Sequence, residues 1–580
     1  MCGIAGISLK AGATLDQGML DRMTAALAHR GPDGHGQYVL PHGALAHTRL
    51  AIIDLTSGDQ PLFDGPLALV ANGEIYNYRE LREAFPATYK TKSDCEPPLK
   101  IFAQADTDYT QFLRGMYGIA IADSVSNVFT LSRDPFGIKP LYVAQGESGL
   151  AFASEPRALL AAGIVPRALD HQKLGELLNL QFTTGAQTIF PGIQRVLPGE
   201  TLTIRQGEIT ARRRMPFPTL PTPPRNEDAA LATLDKVLTE AVDLHQRSDV
   251  PYGMFLSGGI DSATILALMA RLNSSPVLAF TAGFDVPGVA DERDAAAAIA
   301  KSVDARHERV EITQAMMWDS LPEIVAAMDD PVADYAIIPS WFLARRARHD
   351  VKVILSGEGG DEMFAGYGRY RAAARLLFRK PMRKRGVFEE LDVLDQPPVG
   401  WRDGFAAAES EAKHPSRLKR AQLADIADWL PHDLLLKLDR CLMAHAVEGR
   451  TPFIDMQVAA FAFSLPDKLA VRNGLGKYLV RKWLSQNLPA AQPFARKQGF
   501  DVPIGVWIAA KAKPLSELLA RQPIIATLAK PDKVRALLDR AGEKRAGFAA
   551  WELLFTALWH RKHVLNLPEV GDVFSTLRQI

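Results

Sequence analysis

The chain has 580 residues, 47% of them hydrophobic and 23% charged, with a formal net charge of +1. That length exceeds a single hydrophobic core, and near neutrality removes any global field that would draw in nucleic acid or an anionic membrane. No apolar run reaches the roughly eighteen residues of a membrane span, no secretory leader is evident, and the three cysteines Cys2, Cys95 and Cys441 form no CxxC pair, which together predict a reduced cytoplasmic enzyme.

The chain opens Met1-Cys2-Gly3-Ile4-Ala5-Gly6-Ile7. Trimming Met1 leaves a thiol and an α-amine on one residue, and an amine titrating near pH ~8 can serve its own nucleophile as base. Residues 1–210 then read as short strands cut by Gly, Asp and Pro turns, with examples at 44–46, 67–71, 118–123, 128–132 and 141–143. A helix is expected over 19–28, and another from Ser93-Asp94, where Ser93 and Glu96 have capping-box spacing. Residues 211–225 carry Arg212-Arg213-Arg214 and then five prolines (Pro216, Pro218, Pro221, Pro223, Pro224), a composition that predicts an interdomain linker.

From 226 to 580 the rhythm changes. Helices over 228–244, 262–272, 294–303 and 340–348 alternate with apolar strands over 252–256, 277–281, 309–312 and 351–355, the pattern of βαβ units on a doubly wound parallel sheet. From Gly366 onward the pattern is mainly helical, and the basic cluster Arg379-Lys380 with Arg383-Lys384-Arg385 reads as a solvated face.

Two glycine-rich loops follow strands of this second half. In Ser257-Gly258-Gly259-Ile260-Asp261-Ser262 the glycines admit an anion close to the backbone, the following helix start offers free N–H groups, and Asp261 is placed to hold Mg2+ against phosphates. It lacks the Gly-Lys-Ser/Thr ending of a Walker A loop. Ser356-Gly357-Glu358-Gly359-Gly360-Asp361-Glu362 repeats the design with three acids. Such acids fit beside phosphates if Asp361 shares the metal with Asp261 and Glu358 works on the reacting groups.

The first loop resembles the pyrophosphate loop of N-type ATP pyrophosphatases, and the whole chain resembles the glutamine-hydrolysing asparagine synthetases. In the first half the resemblance is carried by Cys2-Gly3-Ile4, His29-Arg30-Gly31-Pro32-Asp33, Arg49-Leu50-Ala51-Ile52-Ile53-Asp54, Asn72-Gly73-Glu74-Ile75-Tyr76-Asn77 and 133–141. In the second half it is carried by both Ser-Gly loops, 439–445, 448–455, Lys477 and Lys497-Gln498-Gly499-Phe500.

The resemblance implies an α/β/β/α class II glutamine amidotransferase sandwich followed by an adenylating domain. It makes Cys2 the nucleophile and gives the oxyanion hole to Asn72 and Gly73. It places the glutamine among Arg49, Leu50, Ile53, Glu74 and Asp94, with Arg49 on the α-carboxylate and the two acids on the α-ammonium. ATP contacts are implied at Leu256, Ser257, Gly258, Gly259, Asp261, Ser262, Ala282, Ser356 and Gly357. Metal contacts are implied at Asp261 and Asp361, and catalytic roles at Glu358 and Lys477. The implied substrates are glutamine, aspartate and ATP, with ammonia passing internally, Mg2+ as cofactor and a homodimer as assembly.

Two departures stand out. Pro97 and Pro98 follow the Asp94 motif, which predicts a shifted helix start and an intact site. Asp330 stands where the family's Asp-Glu-Pro segment near the acceptor has glutamate, which leaves a different carboxylate acceptor, a sugar acid or secondary metabolite, as the alternative.

Overall fold

The computed structural model describes residues 2–220, 222–286, 291–375, 382–495 and 502–579, so Lys497-Gln498-Gly499-Phe500 and Arg379-Lys380 lie outside the described residues. Two antiparallel six-stranded sheets occupy the first third of the chain. In the first, Gly3–Leu9 lies between Gly43–Arg49 and Gly149–Ala153; in the second, Leu67–Ile75 lies between Leu62–Asp64 and Gly115–Asp123. Strand alternation builds the layers: Ile4 points between the sheets with Leu45, Val70, Phe129 and Phe152, while Ala5 and Ile7 point outward beneath the helix Gln17–Ala26. The helix Glu96–Ala105 covers the other sheet, completing the α/β/β/α sandwich.

That helix departs from the expected cap. Glu96 accepts from the backbone N–H groups of Lys90 and Thr91, and Ser93 accepts from Cys95 N, so no capping box forms. The prolines sit in its first turn, where no intrahelical donor is lost. The helix starts at Glu96, the shift that the prolines predicted. The arginine run also differs from expectation. Residues 211–214 belong to the edge strand Glu208–Arg214, paired through Arg214↔Glu200, and the proline-rich connection begins only after it.

The second half is built on a five-stranded, all-parallel sheet, ordered Arg306–Glu311, Leu278–Gly283, Tyr252–Phe255, Val353–Leu355, Glu448–Arg450. The strand order reverses at Tyr252–Phe255, so the crevice at the carboxyl ends of this strand and its neighbours is a topological switch point. Helices cover both faces, and the buried helix Lys544–His563 donates Trp551 Nε1 to Ala333 O (2.5 Å) and Trp559 Nε1 to Met328 O (2.8 Å). The apolar cores run continuously from the sandwich into the parallel-sheet half. Among the described residues no helix is long and apolar enough to cross a membrane.

Candidate active sites

Cys2 immediately precedes the central strand Gly3–Leu9 and is 8% exposed. Its N–H donates to Asn72 Oδ1 (3.2 Å), Arg30 Nε donates to its carbonyl (3.0 Å), and its Sγ faces Leu50 O at 4.0 Å. Burial pushes the thiol pKa up, and the positive amino terminus opposes that shift. Asn72 is fully buried; with its oxygen committed to Cys2, its Nδ2 has no partner. A free, buried amide donor beside a thiol is what an oxyanion requires. Gly73 must be glycine, because an added Cβ would sit 2.1 Å from Met116 O across the ladder.

The expected glutamine contacts gather around this centre. Arg49, at the end of Gly43–Arg49, is held by Asp59 (2.8 Å) and by the Asp54 carbonyl, which fixes the direction of its guanidinium. Leu50 and Ile53 are buried beside it. Asp94 accepts from Ile75 N at 2.8 Å. Burial raises the carboxyl pKa of both Glu74 and Asp94, and for Glu74 the neighbouring Asp94 adds to the shift.

The partner of Glu74 comes from the other half of the chain. Arg450, on the strand Glu448–Arg450, meets Glu74 at 2.9 Å and Glu448 at 2.6 Å. Backbone atoms of the same arginine reach the second site, since Ser356 N donates to Arg450 O (2.8 Å). A second buried ion network ties the halves together: Arg30 binds Glu155 (2.6 Å) and Asp439 (2.8 Å), while Arg440 binds Asp329 (2.7 Å) and Asp439 (3.1 Å). Arg30, Asp439, Arg440, Glu74 and Arg450 lie in motifs visible in the sequence, but the pairing of Arg30 with Asp439 and of Glu74 with Arg450 across more than 300 positions is not readable from spacing.

The two Ser-Gly loops meet at the switch point. Leu256 N bonds Phe280 O (2.9 Å), and Thr281 Oγ1 bonds Leu256 O (2.6 Å), which positions the first loop and Ala282 at adjacent strand ends. Ser257 and Ser262 are linked through their hydroxyls at 3.0 Å, and Ser257 Oγ also accepts from Gly259 N (3.1 Å). The helix Ile260–Leu272 starts at Gly259 with no side-chain cap, which leaves its first N–H groups for a ligand. A Cβ on Gly357 would approach Ser262 N to 2.8 Å, and one on Gly360 would approach Asp261 Oδ1 to 2.5 Å. Only glycines let the loops touch.

Between the loops lies Lys477, buried and in the left-handed region (φ 56°), a strained conformation for lysine. Its Nζ bonds Asp261 and reaches Asp361 at 2.7 Å. Burial disfavours the charged lysine, yet the two aspartates outweigh it and raise its pKa. Burial also raises Glu358, an effect that Lys437 opposes and Asp334, Asp361 and Asp261 reinforce.

Asp261 and Asp361 therefore converge on one cation. No group of three or more metal-ligating side chains occurs among the described residues, and two carboxylates completed by phosphate oxygens are the usual protein share of a Mg2+ site.

Asp330 is placed differently from expectation. Its carboxylate accepts from Arg195 (2.7 and 2.8 Å) and from Tyr142 OH (2.8 Å), fully buried between the two halves of the chain. Burial would raise its pKa, but Arg195 and Tyr142 hold it below the ordinary carboxylate range. Three hydrogen bonds to protein groups already engage it.

A thiol at the second residue beside a free amide donor, joined to paired glycine loops at a sheet switch point, is the arrangement of a glutamine amidotransferase coupled to a nucleotide-dependent synthetase. Residues 1–215 match the glutamine amidotransferase domain model, and residues 233–561 match the asparagine synthase model. Over 97% of its length the chain is 32% identical to the Bacillus subtilis asparagine synthetase [glutamine-hydrolyzing] 1, covering 96% of that protein. It is 34% identical to a putative asparagine synthetase of Mycobacterium bovis, with 99% of both chains covered. With the Escherichia coli asparagine synthetase B the identity is 27%, over 90% of this chain and 85% of that one. The chain belongs to the glutamine-hydrolysing asparagine synthetase family, the ATP-dependent carbon–nitrogen ligases that take nitrogen from glutamine.

Proposed function

We propose that the protein converts aspartate to asparagine, using glutamine as nitrogen donor and ATP as activating agent. The observation that carries this reading is the single strand Glu448–Arg450, whose arginine pairs with Glu74 at the glutamine site while its backbone holds Ser356 at the nucleotide site. After Met1 is removed, the Cys2 α-amine accepts the thiol proton and the thiolate attacks the glutamine side-chain amide. Asn72 Nδ2 and Gly73 N–H take the oxyanion; the Cys2 α-ammonium returns its proton to the departing nitrogen, ammonia leaves, and water then releases glutamate from the thioester. Arg49 holds the glutamine α-carboxylate, and Glu74 with Asp94 holds its α-ammonium.

At the second site the loop amides, Ser257 and Ser262 cradle the phosphates, with the nucleotide along Leu256, Ala282, Ser356 and Gly357. The acceptor carboxylate attacks the α-phosphorus, the bond to pyrophosphate breaks, and Lys477 neutralises charge on the adenylated carboxylate. Asp261 and Asp361 would hold Mg2+, which neutralises phosphate charge. Ammonia then attacks the β-aspartyl-AMP, Glu358 takes up a proton, and AMP leaves as asparagine forms.

A panel of carboxylic acids tests the acceptor. With ATP and glutamine, aspartate should yield AMP and pyrophosphate in equal amounts. Silence with aspartate and turnover of a sugar acid would replace this reading with the other.

A further inference from the structure

Beside Glu358 lies a buried group of charges that the steps above do not use. Asp433, fully buried near the end of the helical segment Asp425–Leu434, has no partner on either carboxylate oxygen. Four residues on, Lys437 is committed to Asp334 at 2.7 Å. Arg383 reaches the same region. Its guanidinium stacks on the Trp429 ring, 3.4 Å from the centroid, and its Nε and Nη2 are buried without partners.

These two nitrogens form one edge of the guanidinium fork, the edge that binds a carboxylate through two parallel bonds. Trp429, on which Arg383 stacks, lies four positions before Asp433 on the same helical segment, about one turn away, and the charges of Asp334, Lys437, Arg383 and Glu358 bear on Asp433 from around it.

An unpartnered buried carboxylate among other acids is costly, as is an unpartnered buried guanidinium. One ligand relieves both if it carries an ammonium and a carboxylate on the same carbon. We propose that Arg383 and Asp433 bind the α-carboxylate and the α-ammonium of an amino-acid acceptor, directing its side-chain carboxylate toward Glu358 and the Ser356-Gly357 loop. The proposal rests on the synthetase reading given above and adds the feature of the acceptor that is recognised. A carboxylic acid without the α-amino group leaves Asp433 unpaired, and one without the α-carboxylate leaves the Arg383 edge unpaired. The site discriminates through those penalties.

The test measures pyrophosphate release with ammonium as nitrogen source, comparing aspartate with succinate, which lacks the ammonium, and with β-alanine, which lacks the α-carboxylate. Arg383→Ala should reduce the preference for aspartate over β-alanine by about 10- to 100-fold and raise the aspartate KM. Asp433→Asn should reduce the preference for aspartate over succinate to a similar extent. Glutaminase activity at Cys2 reports that each variant is folded, and Arg383→Lys, which keeps the charge but loses the fork, should show an intermediate loss.

Equal losses on aspartate and on the matched analogue would mean that these residues only support the fold, and would overturn the proposal. So would unchanged preferences in both variants. Wild-type enzyme that ignores aspartate but turns over another α-amino acid would overturn the acceptor named under the proposed function while supporting this subsite. Wild-type preference for an acid lacking the α-amino group would overturn the subsite itself.

Discussion

Three side chains show how identity and environment part company. Asn72 is polar, fully buried and half satisfied, with its oxygen on Cys2 N and its Nδ2 without a partner. Asp330, within the segment that resembles the family's Asp-Glu-Pro stretch, is instead held by three hydrogen bonds from Arg195 and Tyr142. Asp330→Asn should therefore cost stability, about 3–5 kcal/mol for leaving Arg195 uncompensated, while acceptor preference stays the same. Denaturant unfolding alongside the carboxylate panel checks this; a changed acceptor with unchanged stability would return Asp330 to the pocket.

Arg383 is the reverse case. The cluster Arg383-Lys384-Arg385 reads as a solvated face, and Lys384 and Arg385 are exposed, but the Arg383 guanidinium turns inward onto Trp429. Three like charges in a row carry no sign of which one will find an aromatic face from a helix some 46 positions away.

At the scale of elements, the βαβ strands and both glycine loops were legible because apolar runs, turn residues and helix starts coincide in sequence. The strand Glu448–Arg450 was not, since three residues carry no period and its apolar content is nil. It is nevertheless the edge strand that joins the two sites. Arg450→Met should remove the cation that Glu74 and Glu448 share, which destabilises the protein by about 3–5 kcal/mol and weakens glutamine binding by releasing Glu74 from its position. Thermal unfolding and the glutamine KM measure the two effects. A variant with normal stability and normal KM would remove Arg450 from the account. The expected capping box at Ser93 failed for a local reason: Glu96 is drawn back to the Lys90 and Thr91 amides, a turn that spacing alone does not reveal.

For the molecule as a whole, the apolar cores and buried ion networks across both halves predict one response to acid. Burial lowers His47 and His245 to about 3 and His432 to about 4, so these rings are neutral in the folded state. The unfolded chain takes up protons on them near pH ~6.5, hence stability falls as pH drops from there toward the folded values. Glu448, at about 2 despite burial because the amino terminus and Arg450 hold it charged, removes further stability below its unfolded value. The histidine share of the unfolding free energy therefore declines below pH ~6.5, while the raised carboxyls of Glu74, Asp94 and Glu358 act in the opposite direction. Replacing His47, His245 and His432 by glutamine should flatten the fall between pH ~6.5 and ~4, and an unchanged profile would contradict neutral buried histidines. The fold class was legible from strand and helix rhythm, and the expected site residues stand in contiguous motifs. What joins the halves was not, because Arg30–Asp439 and Glu74–Arg450 pair residues hundreds of positions apart.

The central claim is that one chain makes ammonia at Cys2 and uses it at the Ser-Gly loops. The most direct test compares glutamine with ammonium as nitrogen source for Cys2→Ala, following asparagine and pyrophosphate. The account predicts that glutamine-dependent synthesis disappears while ammonium-dependent synthesis continues at the wild-type rate. Loss of both activities in a folded variant, or survival of the glutamine-dependent one, would contradict it.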